Sequence, residues 1–394
     1  MPPALQWLLD REALRQLMVD YFCGVDDRDF ERVGACFTSD VRADYGRQYQ
    51  GRESLIEFIS GVRFFHTTMH CMGAQLFELD GSEARMVTWA MIAHHGRKGD
   101  GETIEYHNSG SRYVDVLTRK DDRFLVRDRG GSPAWPAVGA RAPETDDPAL
   151  RWLVDRAQLR DLLAQWALGM DERDEPRVRA CVTDDFCEGD DGDADAFARR
   201  ARTLEGFHSS THFLGAPAIA LNDDRATVDS CALVTLRELG EPRKHPVLGL
   251  PVRDESTRSV RWCDQLVRTE GRWWLAERGD GGRTLVEAGI PPETTDPSTH
   301  DLVDRELIRD AIARSALEFD CEQPSTNHLV GNQEIDIRGD EARVRSYVYR
   351  TQRLDDQHSR WSCGPRHRYD RLERRDGDWQ IVERREVDLL ANQR

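Results

Sequence analysis

An apolar stripe at helical spacing occurs three times along the chain. Apolar residues three or four positions apart share one face of an α-helix and indicate that this face is buried. The first stripe comprises Leu14, Leu17, Met18, Tyr21 and Val25. The second comprises Leu159, Leu162, Leu163, Trp166 and Met170. The third comprises Ile308, Ala311, Ile312 and Phe319, with the small polar Ser315 at the remaining position. Each stripe predicts an amphipathic helix that begins a structural repeat.

Shorter elements are predicted after the first long helix. Residues 30–37 and 53–61 form two further helices, and an Asp-Tyr-Gly strand end at 44–46 lies between them. Four strand-like runs follow, and the last two form a hairpin. The hairpin turns of the three copies are Lys120-Asp121-Asp122, Thr269-Glu270-Gly271 and Asp376-Gly377. Each turn is followed by an aromatic strand, which begins at Phe124, Trp273 and Trp379.

The sequence at the start of each long helix is itself repeated. Asp10-Arg11-Glu12-Ala13-Leu14 returns as Asp155-Arg156-Ala157-Gln158-Leu159 and as Asp304-Arg305-Glu306-Leu307-Ile308, at offsets of 145 and 149 residues. A period of this length indicates tandem globular domains. Acidic segments with proline at 142–148 and 292–297 resemble each other and are predicted linkers. We therefore place domain 1 at 1–142, domain 2 at 143–291 and domain 3 at 292–394.

The third copy is predicted to be truncated. Only 8 residues separate the helix-end Asp320 from the strand residue His328, against 44 and 41 residues in the other two copies. This length leaves no room for two helices and the strands between them. We expect the third copy to pack against the other two copies, because its own sheet is poorly covered by helices.

The composition excludes several classes of protein. The chain has 394 residues, of which 72 are acidic and 55 basic, and its net charge is −17. Binding to nucleic acid or to an anionic membrane needs clustered Lys and Arg, so neither partner is expected. No stretch approaches the ~20 apolar residues of a membrane span, and a charge at Asp10 comes too early for a secretory signal. We expect a soluble, cytoplasmic protein.

The sequence offers no motif for a cofactor or a metal. Nine cysteines without a C-x-x-C pair indicate neither a disulfide framework nor a cysteine zinc site. A phosphate-binding Gly-rich loop, a dinucleotide fingerprint and G-x-S-x-G are all missing. His66/His70 and His208/His212 are four residues apart, but each pair spans a helix-to-strand joint with no cysteine set beside it. We therefore expect no cofactor and no metal.

Asp26 and His70 are the first candidates for chemistry. Asp26 lies at the end of the first helix, where the helix dipole favours cations, so an imidazole is a suitable partner for its carboxylate. An Asp that accepts the Nδ1–H of His70 fixes the tautomer and leaves Nε2 as a base. Tyr45 can orient a water or polarise a carbonyl, and His94 can serve as an acid. The alternative is a buried Asp–His contact that only ties helix to sheet.

The chain resembles SnoaL-like domains of the nuclear transport factor 2-like superfamily. The resemblance rests on the helix that ends in Asp-x-x-Asp-Phe, the Asp-Tyr strand end, the His three residues before a Gly, and the closing hairpin. It covers copies one and two and the sheet half of copy three. It implies an α+β fold of tandem cone-shaped barrels, in which a curved antiparallel sheet wraps round helices, with the third copy truncated.

Within this superfamily, copy one is most similar to the branch of scytalone dehydratase, bile-acid 7α-dehydratase and hexachlorocyclohexane dehydrochlorinase. The resemblance implies the catalytic residues Asp26, His70, Tyr45 and His94. It also implies the substrate-binding residues Tyr21, Trp89, His95 and Tyr113. Domain 2 keeps the candidate pair Asp171 and His212, but Trp166 and Asp190 replace the two tyrosines and Leu236 replaces the second histidine.

The function implied is a cofactor-independent lyase that carries out a dehydratase-like elimination in domain 1. The substrate would be a cyclic or aromatic small molecule, because the interior of such a cone is apolar. Isomerisation or polyketide-type cyclisation in the same pocket remains an alternative, as does a non-catalytic ligand-binding or scaffold protein. Members of the branch often form trimers, so the resemblance implies a pseudo-trimer of the three copies within one chain, with further oligomerisation left open.

Overall fold

The computed structural model of the protein contains three α+β units in tandem. The structure describes residues 1–97, 103–130, 142–189, 193–241, 243–244, 251–252, 255–280, 291–322, 326–353 and 361–389. Each unit contributes one main sheet and one long helix of 25 or 26 residues, and the second unit adds a two-stranded sheet. The domain boundaries stay predictions, since the joints at 131–141 and 281–290 lie outside the described residues.

Domain 1 contains three α-helices and six strands in its described part. The helices are α1 (Pro3–Asp27), α2 (Phe30–Gly34) and α3 (Arg52–Ile59), and a 3₁₀ turn covers Ser60–Phe64. The strands are β1 (Phe37–Asp44), β2 (Gln48–Gln50), β3 (Thr67–Asp80), β4 (Glu83–Arg97), β5 (Thr103–Lys120) and β6 (Arg123–Arg129).

Domain 2 repeats this order, with the long helix again first. Its helices are α4 (Pro148–Glu172), α5 (Glu175–Arg179) and α6 (Ala194–Thr203), with a 3₁₀ turn at Leu204–Gly206. Its strands are β7 (Val182–Glu188), β8 (Ser209–Leu214), β9 (Ala218–Asn222), β10 (Arg225–Arg237), β11 (Arg243–Lys244), β12 (Pro251–Val252), β13 (Glu255–Thr269) and β14 (Arg272–Asp280).

Domain 3 is shorter, which confirms the predicted truncation. It consists of α7 (Pro297–Glu322), β15 (Thr326–Arg338), β16 (Glu341–Arg353), β17 (Trp361–Arg375) and β18 (Asp378–Asp388). Counterparts of the two short helices do not occur among its described residues. Phe319, at the position of Val25 in domain 1, is therefore 42% exposed although the sequence pattern places it on the apolar face. No helix in the described ranges is long and apolar enough to cross a membrane.

The sheets are mainly antiparallel and open. The sheet of domain 1 has the order β2-β1-β6-β5-β4-β3, in which only β1 and β6 run parallel. The sheet of domain 3 has four described strands, which lie in the order β15-β16-β17-β18. The predicted fold class is confirmed: three mainly antiparallel α+β units with helices follow one another, and among the described residues no sheet pairs its first strand with its last, so each sheet is open.

The acidic residue that begins each sequence repeat joins the long helix to the closing hairpin. Asp10 pairs with Arg119 at 2.6 Å. The indole Nε1 of Trp273 donates to Asp155 at 3.0 Å, and that of Trp379 donates to Asp304 at 3.1 Å. A buried carboxylate requires such partners, because an unpaired one loses its hydration without compensation. In domains 2 and 3 the repeated Asp and the repeated aromatic residue are thus bonded to each other, whereas in domain 1 Arg119 lies between them, paired with Asp10 and 4.2 Å from the centre of the Phe124 ring.

The three domains pack in a cyclic order through three equivalent glycines. Gly73 of domain 1 lies against Phe213 of domain 2, and a Cβ added there would be 2.8 Å from the ring. Gly331 of domain 3 lies against Met72 of domain 1, and an added Cβ would be 2.8 Å from its carbonyl oxygen. Gly215 of domain 2 faces domain 3 more loosely, with its nearest atoms at 3.4 Å. The chain therefore forms a pseudo-threefold arrangement of its own domains.

Gly331→Ala and Gly73→Ala should lower the free energy of unfolding by about 1–3 kcal/mol, because each new methyl group overpacks a domain contact. Gly215→Ala is the matched control, and it should lower the free energy of unfolding by less, because its surroundings are looser. Urea denaturation of the three variants measures the difference. Equal losses at all three positions would contradict the close approach of the domains at Gly73 and Gly331.

Candidate active site

The Asp26 carboxylate joins the end of α1 to the middle of β3. α1 ends because Arg28 adopts a left-handed conformation with φ 62°, which turns the chain after Asp26. One carboxylate oxygen lies 2.7 Å from Nδ1 of His70, and the other accepts the backbone N–H of the same residue at 2.8 Å. Both side chains are nearly inaccessible, at 2% for Asp26 and 6% for His70. Because Nδ1 faces a carboxylate, it carries the proton, and Nε2 holds the lone pair.

The same contact recurs in the other two domains. Nδ1 of His212 lies 2.7 Å from Asp171, and Nδ1 of His328 lies 2.7 Å from Asp320. The backbone N–H of each histidine is again donated to the carboxylate. The pair is therefore a common feature of the fold, and the surroundings of each pair must distinguish the domains.

A cavity of about 310 Å³ lies in domain 1 beside His70. Its walls are Tyr21, Val25, Asp44, Tyr45, Phe58, Ile59, Val62, His70, Ile92, His94, Ser111, Arg112, Tyr113, Val114, Arg129 and Gly130. Since Nδ1 and the backbone N–H of His70 are both bound to Asp26, Nε2 is the ring nitrogen left for this cavity. Cavities of this size hold small organic molecules.

Two tyrosines and an arginine form a hydrogen-bonded chain on the cavity wall. The hydroxyls of Tyr21 and Tyr45 are 3.0 Å apart, and Nη1 of Arg129 donates to Tyr45 at 3.2 Å. The Arg129 guanidinium also lies 4.2 Å from the centre of the Tyr21 ring and 4.9 Å from that of Tyr113. A hydroxyl that accepts a bond from a cation becomes a better donor, because hydrogen bonds in a chain polarise one another.

Burial keeps the hydroxyl groups of Tyr21 and Tyr113 protonated. Burial, followed by the neighbouring Tyr45, raises the pKa of Tyr21 well above its ordinary value. Burial, again followed by Tyr45, raises the pKa of Tyr113. Both phenols therefore remain hydrogen-bond donors at neutral pH.

Arg129 lies on the cavity wall, and neither it nor its partner Asp115 was predicted from the sequence. Nε and Nη2 of Arg129 donate to the two oxygens of Asp115 at 2.7 and 2.8 Å, and both side chains are buried. Equivalent pairs occur as Arg278–Asp264 and Arg384–Asp370. The signal was present in the sequence, because the Asp precedes the Arg by fourteen residues across each closing hairpin.

The structure brings most of the predicted site residues together. Tyr21, Tyr45, His70, His94 and Tyr113 line the same cavity. The ring centres of His70 and His94 are 5.5 Å apart, and the His94 ring stacks on Phe65 at 4.5 Å.

Trp89 and His95 do not line this cavity, so their placement in the substrate pocket is corrected. Side chains alternate along β4, and these two residues have the opposite parity to Ile92 and His94. Trp89 points to domain 2, where its Nε1 donates to Asp171 at 2.8 Å. His95 is buried, and burial lowers its pKa.

The Trp89 contact belongs to a cyclic set. Cys231, at the equivalent position of domain 2, places its Sγ 3.8 Å from Asp320 of domain 3. Tyr347 is the equivalent residue of domain 3, and its pKa is raised by burial and then by the Asp26 carboxylate of domain 1. The carboxylate of each Asp–His pair therefore lies close to a residue of another domain: Asp171 to Trp89, Asp320 to Cys231, and Asp26 to Tyr347.

Domains 2 and 3 lack the tyrosine that domain 1 has at position 21. Trp166 stands at the position of Tyr21 and packs against His212 and Trp262, with ring centres 5.4 and 5.1 Å apart. In domain 3 the position of Tyr21 is Ser315, which accepts a bond from Arg384 at 2.6 Å. Asp190, which takes the position of Tyr45, lies outside the described residues.

The described residues contain no group of three or more His, Cys, Asp and Glu side chains that could hold a metal ion. In particular, Nδ1 of His70 and of His212 are bound to carboxylates. We name no residue as a cofactor ligand.

A long helix, a mainly antiparallel sheet and a cavity with both polar and apolar walls make domain 1 an α+β unit with a candidate small-molecule site. The SnoaL-like domain model matches the chain three times, at 6–130, 151–279 and 293–385. The chain therefore belongs to the SnoaL-like family. No curated protein matches the sequence.

Several solved structures resemble single domains of the chain. A candidate scytalone dehydratase from Novosphingobium aromaticivorans is 21% identical over 31% of this chain and 82% of its own, with a TM-score of 0.29. A protein of unknown function from Mycobacterium tuberculosis is 22% identical over 32% and 70%, with a TM-score of 0.28. An NTF2-like protein with a cystatin-like fold, also from N. aromaticivorans, is 19% identical over 32% and 82%, with a TM-score of 0.27.

Asp115→Asn should lower the free energy of unfolding by about 3–5 kcal/mol, because it leaves the buried Arg129 cation without its carboxylate. Asp128→Asn is the control, since Asp128 pairs with the exposed Arg42 and should cost no more than about 1 kcal/mol. Chemical denaturation compares the two variants. A similar small loss in both would show that the Arg129 pair does not hold the cavity wall.

Proposed function

We propose that domain 1 is a cofactor-independent lyase that carries out a dehydratase-like elimination on a cyclic or aromatic small molecule. The observation that carries the proposal is the Asp26–His70 pair beside a cavity that also contains the Tyr21 and Tyr45 hydroxyls. Domains 2 and 3 retain the pair and have replaced Tyr21. Membership of the SnoaL-like family supports a small-molecule site and leaves the reaction to be proposed from this geometry.

His70 is the proposed general base. Its Nε2 takes a proton from the carbon next to a substrate carbonyl, and the electron pair of that C–H bond passes into an enolate. Asp26 is a positioning residue, because its carboxylate holds the Nδ1–H tautomer and stabilises the imidazolium that forms. General base catalysis of this kind contributes about 10²–10⁴-fold to a rate.

Tyr45 is proposed to bind the developing oxyanion. Its oxygen already accepts a bond from Arg129, so its own proton is available to the substrate or to Tyr21. A donor placed where negative charge develops stabilises the transition state more than the ground state. Arg129 therefore acts through Tyr45, and Asp115 acts by keeping Arg129 in place.

The leaving hydroxyl would depart as water. The enolate electron pair forms the new C=C bond as the C–O bond breaks, and the proton held by the His70 imidazolium joins the leaving oxygen, either directly or by relay through His94, which returns both histidines to their starting state. Both histidines line the cavity. The Phe58, Ile59 and Ile92 walls favour an apolar ring in the substrate.

Two other functions use the same observations. Isomerisation and polyketide-type cyclisation also need a base beside a carbonyl, and only the product separates them from elimination. A non-catalytic binding or scaffold role is favoured by the three identical Asp–His distances, because a contact retained without the tyrosines has a structural purpose in domains 2 and 3.

His70→Gln should lower turnover by about 10²-fold or more, since glutamine keeps an amide donor for Asp26 but is no base. His212→Gln is the matched control, with the same Asp contact in domain 2, and should leave turnover within twofold. The assay is a panel of cyclic β-hydroxy ketones, with absorbance of the conjugated product as the readout. Equal turnover in both variants, with equal stability losses, would favour the scaffold function.

Tyr45→Phe should lower kcat with little change in KM, because the lost hydroxyl stabilises charge that develops only in the transition state. Tyr49→Phe removes a neighbouring hydroxyl that does not line the cavity and serves as the control. An unchanged kcat for Tyr45→Phe on a substrate that wild-type protein converts would remove Tyr45 from the mechanism.

A further inference from the structure

The three long helices place a ring of charged side chains around the pseudo-threefold axis. Arg15, Arg160 and Arg309 occupy the same repeat position in α1, α4 and α7. The position three residues earlier holds Glu12 in α1 and Glu306 in α7, but Ala157 in α4. One carboxylate of the ring is therefore missing.

The ion pairs of the ring follow a cyclic rule. Glu12 of domain 1 lies 2.6 Å from Arg309 of domain 3. Glu306 of domain 3 lies 2.7 Å from Arg160 of domain 2. By the same rule, residue 157 of domain 2 should pair with Arg15 of domain 1. Alanine at 157 leaves this third pair without its acid.

Arg15 correspondingly lacks a carboxylate of its own in this ring. Among the described residues, the one carboxylate within 4.0 Å is that of Glu12, at 4.0 Å from Nε, and Glu12 is already bound at 2.6 Å to Arg309. Burial, followed by the nearby cation of Arg309, lowers the pKa of Arg15 to about 9. The side chain is still protonated at neutral pH, and only a quarter of it is accessible to solvent, so a counter-ion beside it would be favourable.

Neighbouring ion pairs do not supply the missing charge. Arg11 is paired with Asp161 at 2.6 Å, and Arg156 is paired with Asp310 at 2.6 Å. Glu306 is shared, since Arg156 and Arg309 approach it at 3.3 and 3.2 Å in addition to Arg160. Asp310 is also shared, since Arg314 approaches it at 3.5 Å. The charged side chains on the wall of the cavity between the domains are the four arginines at 11, 15, 160 and 309 and the two glutamates at 12 and 306, and Asp161 pairs with Arg11 behind them. One positive charge is left over.

The surplus charge borders a cavity between the domains. This cavity of about 100 Å³ is lined by Arg11, Glu12, Arg15, Arg160, Glu306 and Arg309 and by residues of the three glycine-containing strands. Ala157 is on its wall, so the space that a glutamate would fill is open. The volume suits a small ion with a few waters, because a water occupies about 30 Å³ of liquid.

We propose that this central cavity binds a small oxyanion, of the size of phosphate, sulfate or acetate, which takes the place of the missing carboxylate opposite Arg15. A guanidinium presents a planar pair of N–H donors that matches the oxygens of such an anion. The bound anion links domain 1 to domain 2 and completes the charge ring. The site is separate from the His70 cavity and does not depend on the function proposed for it.

The test is isothermal titration calorimetry of the full-length protein with phosphate, sulfate and acetate at constant ionic strength, with chloride as the comparison salt. Wild-type protein should bind at least one oxyanion saturably and unfold at a higher temperature with it. Ala157→Glu should weaken this binding at least tenfold and raise the anion-free unfolding temperature, because it supplies the third carboxylate. Ala157→Gln is of similar size without the charge and should lose less affinity.

Arg15→Gln is a second variant that removes the cation instead of the cavity space. It should also weaken oxyanion binding at least tenfold, and it keeps the test decisive if Ala157→Glu does not fold. Preference among the three oxyanions distinguishes a tetrahedral anion from a carboxylate as the occupant. Absence of saturable binding by wild-type protein, or wild-type affinity in Arg15→Gln, would overturn the proposal.

Discussion

The carboxylate at the end of each long helix is the contact on which the rest of the structure depends. In domain 1, Asp26 bonds both the ring and the backbone of His70, which fixes the helix to the sheet at one point. The contact orients the imidazole and defines the cavity behind it. A buried carboxylate at the C-terminal end of a helix opposes the helix dipole and keeps its place only with such donors. The same constraint operates in all three domains.

The three domains share the same buried ion pairs and differ in the side chains around them. Asp–His and Asp–Arg pairs are repeated with nearly constant distances. Tyr21 becomes Trp166 in domain 2 and Ser315 in domain 3, so the hydroxyl chain is found in domain 1. Contacts between domains are cyclic, through the glycines, through Trp89, and through the arginine ring. One chain thus contains the kind of interface that a symmetric trimer would form from three, but each position can diverge independently.

The sequence predicted the repeats, the truncation and five of the residues that line the cavity, because these follow from local periodicity and from spacing. It misplaced Trp89 and His95 because β4 is buried on both faces, so polar and apolar residues do not alternate along it. Arg129 and Asp115 were missed because a buried ion pair looks like two exposed charges until the strands are paired. The absence of an acidic residue at position 157 matters only in the folded protein, where the three long helices bring their charged side chains together.

The central claim is that three identical Asp–His pairs differ in access to a ligand. Imidazole ¹⁵N NMR of the full chain, recorded while an aromatic ketone is titrated in, tests it most directly. We expect the Nδ1–H tautomer for His70, His212 and His328, with a ligand-dependent shift of Nε2 in His70 alone. A shift at His212 or His328 with none at His70, or an Nε2–H tautomer at His70, would contradict it.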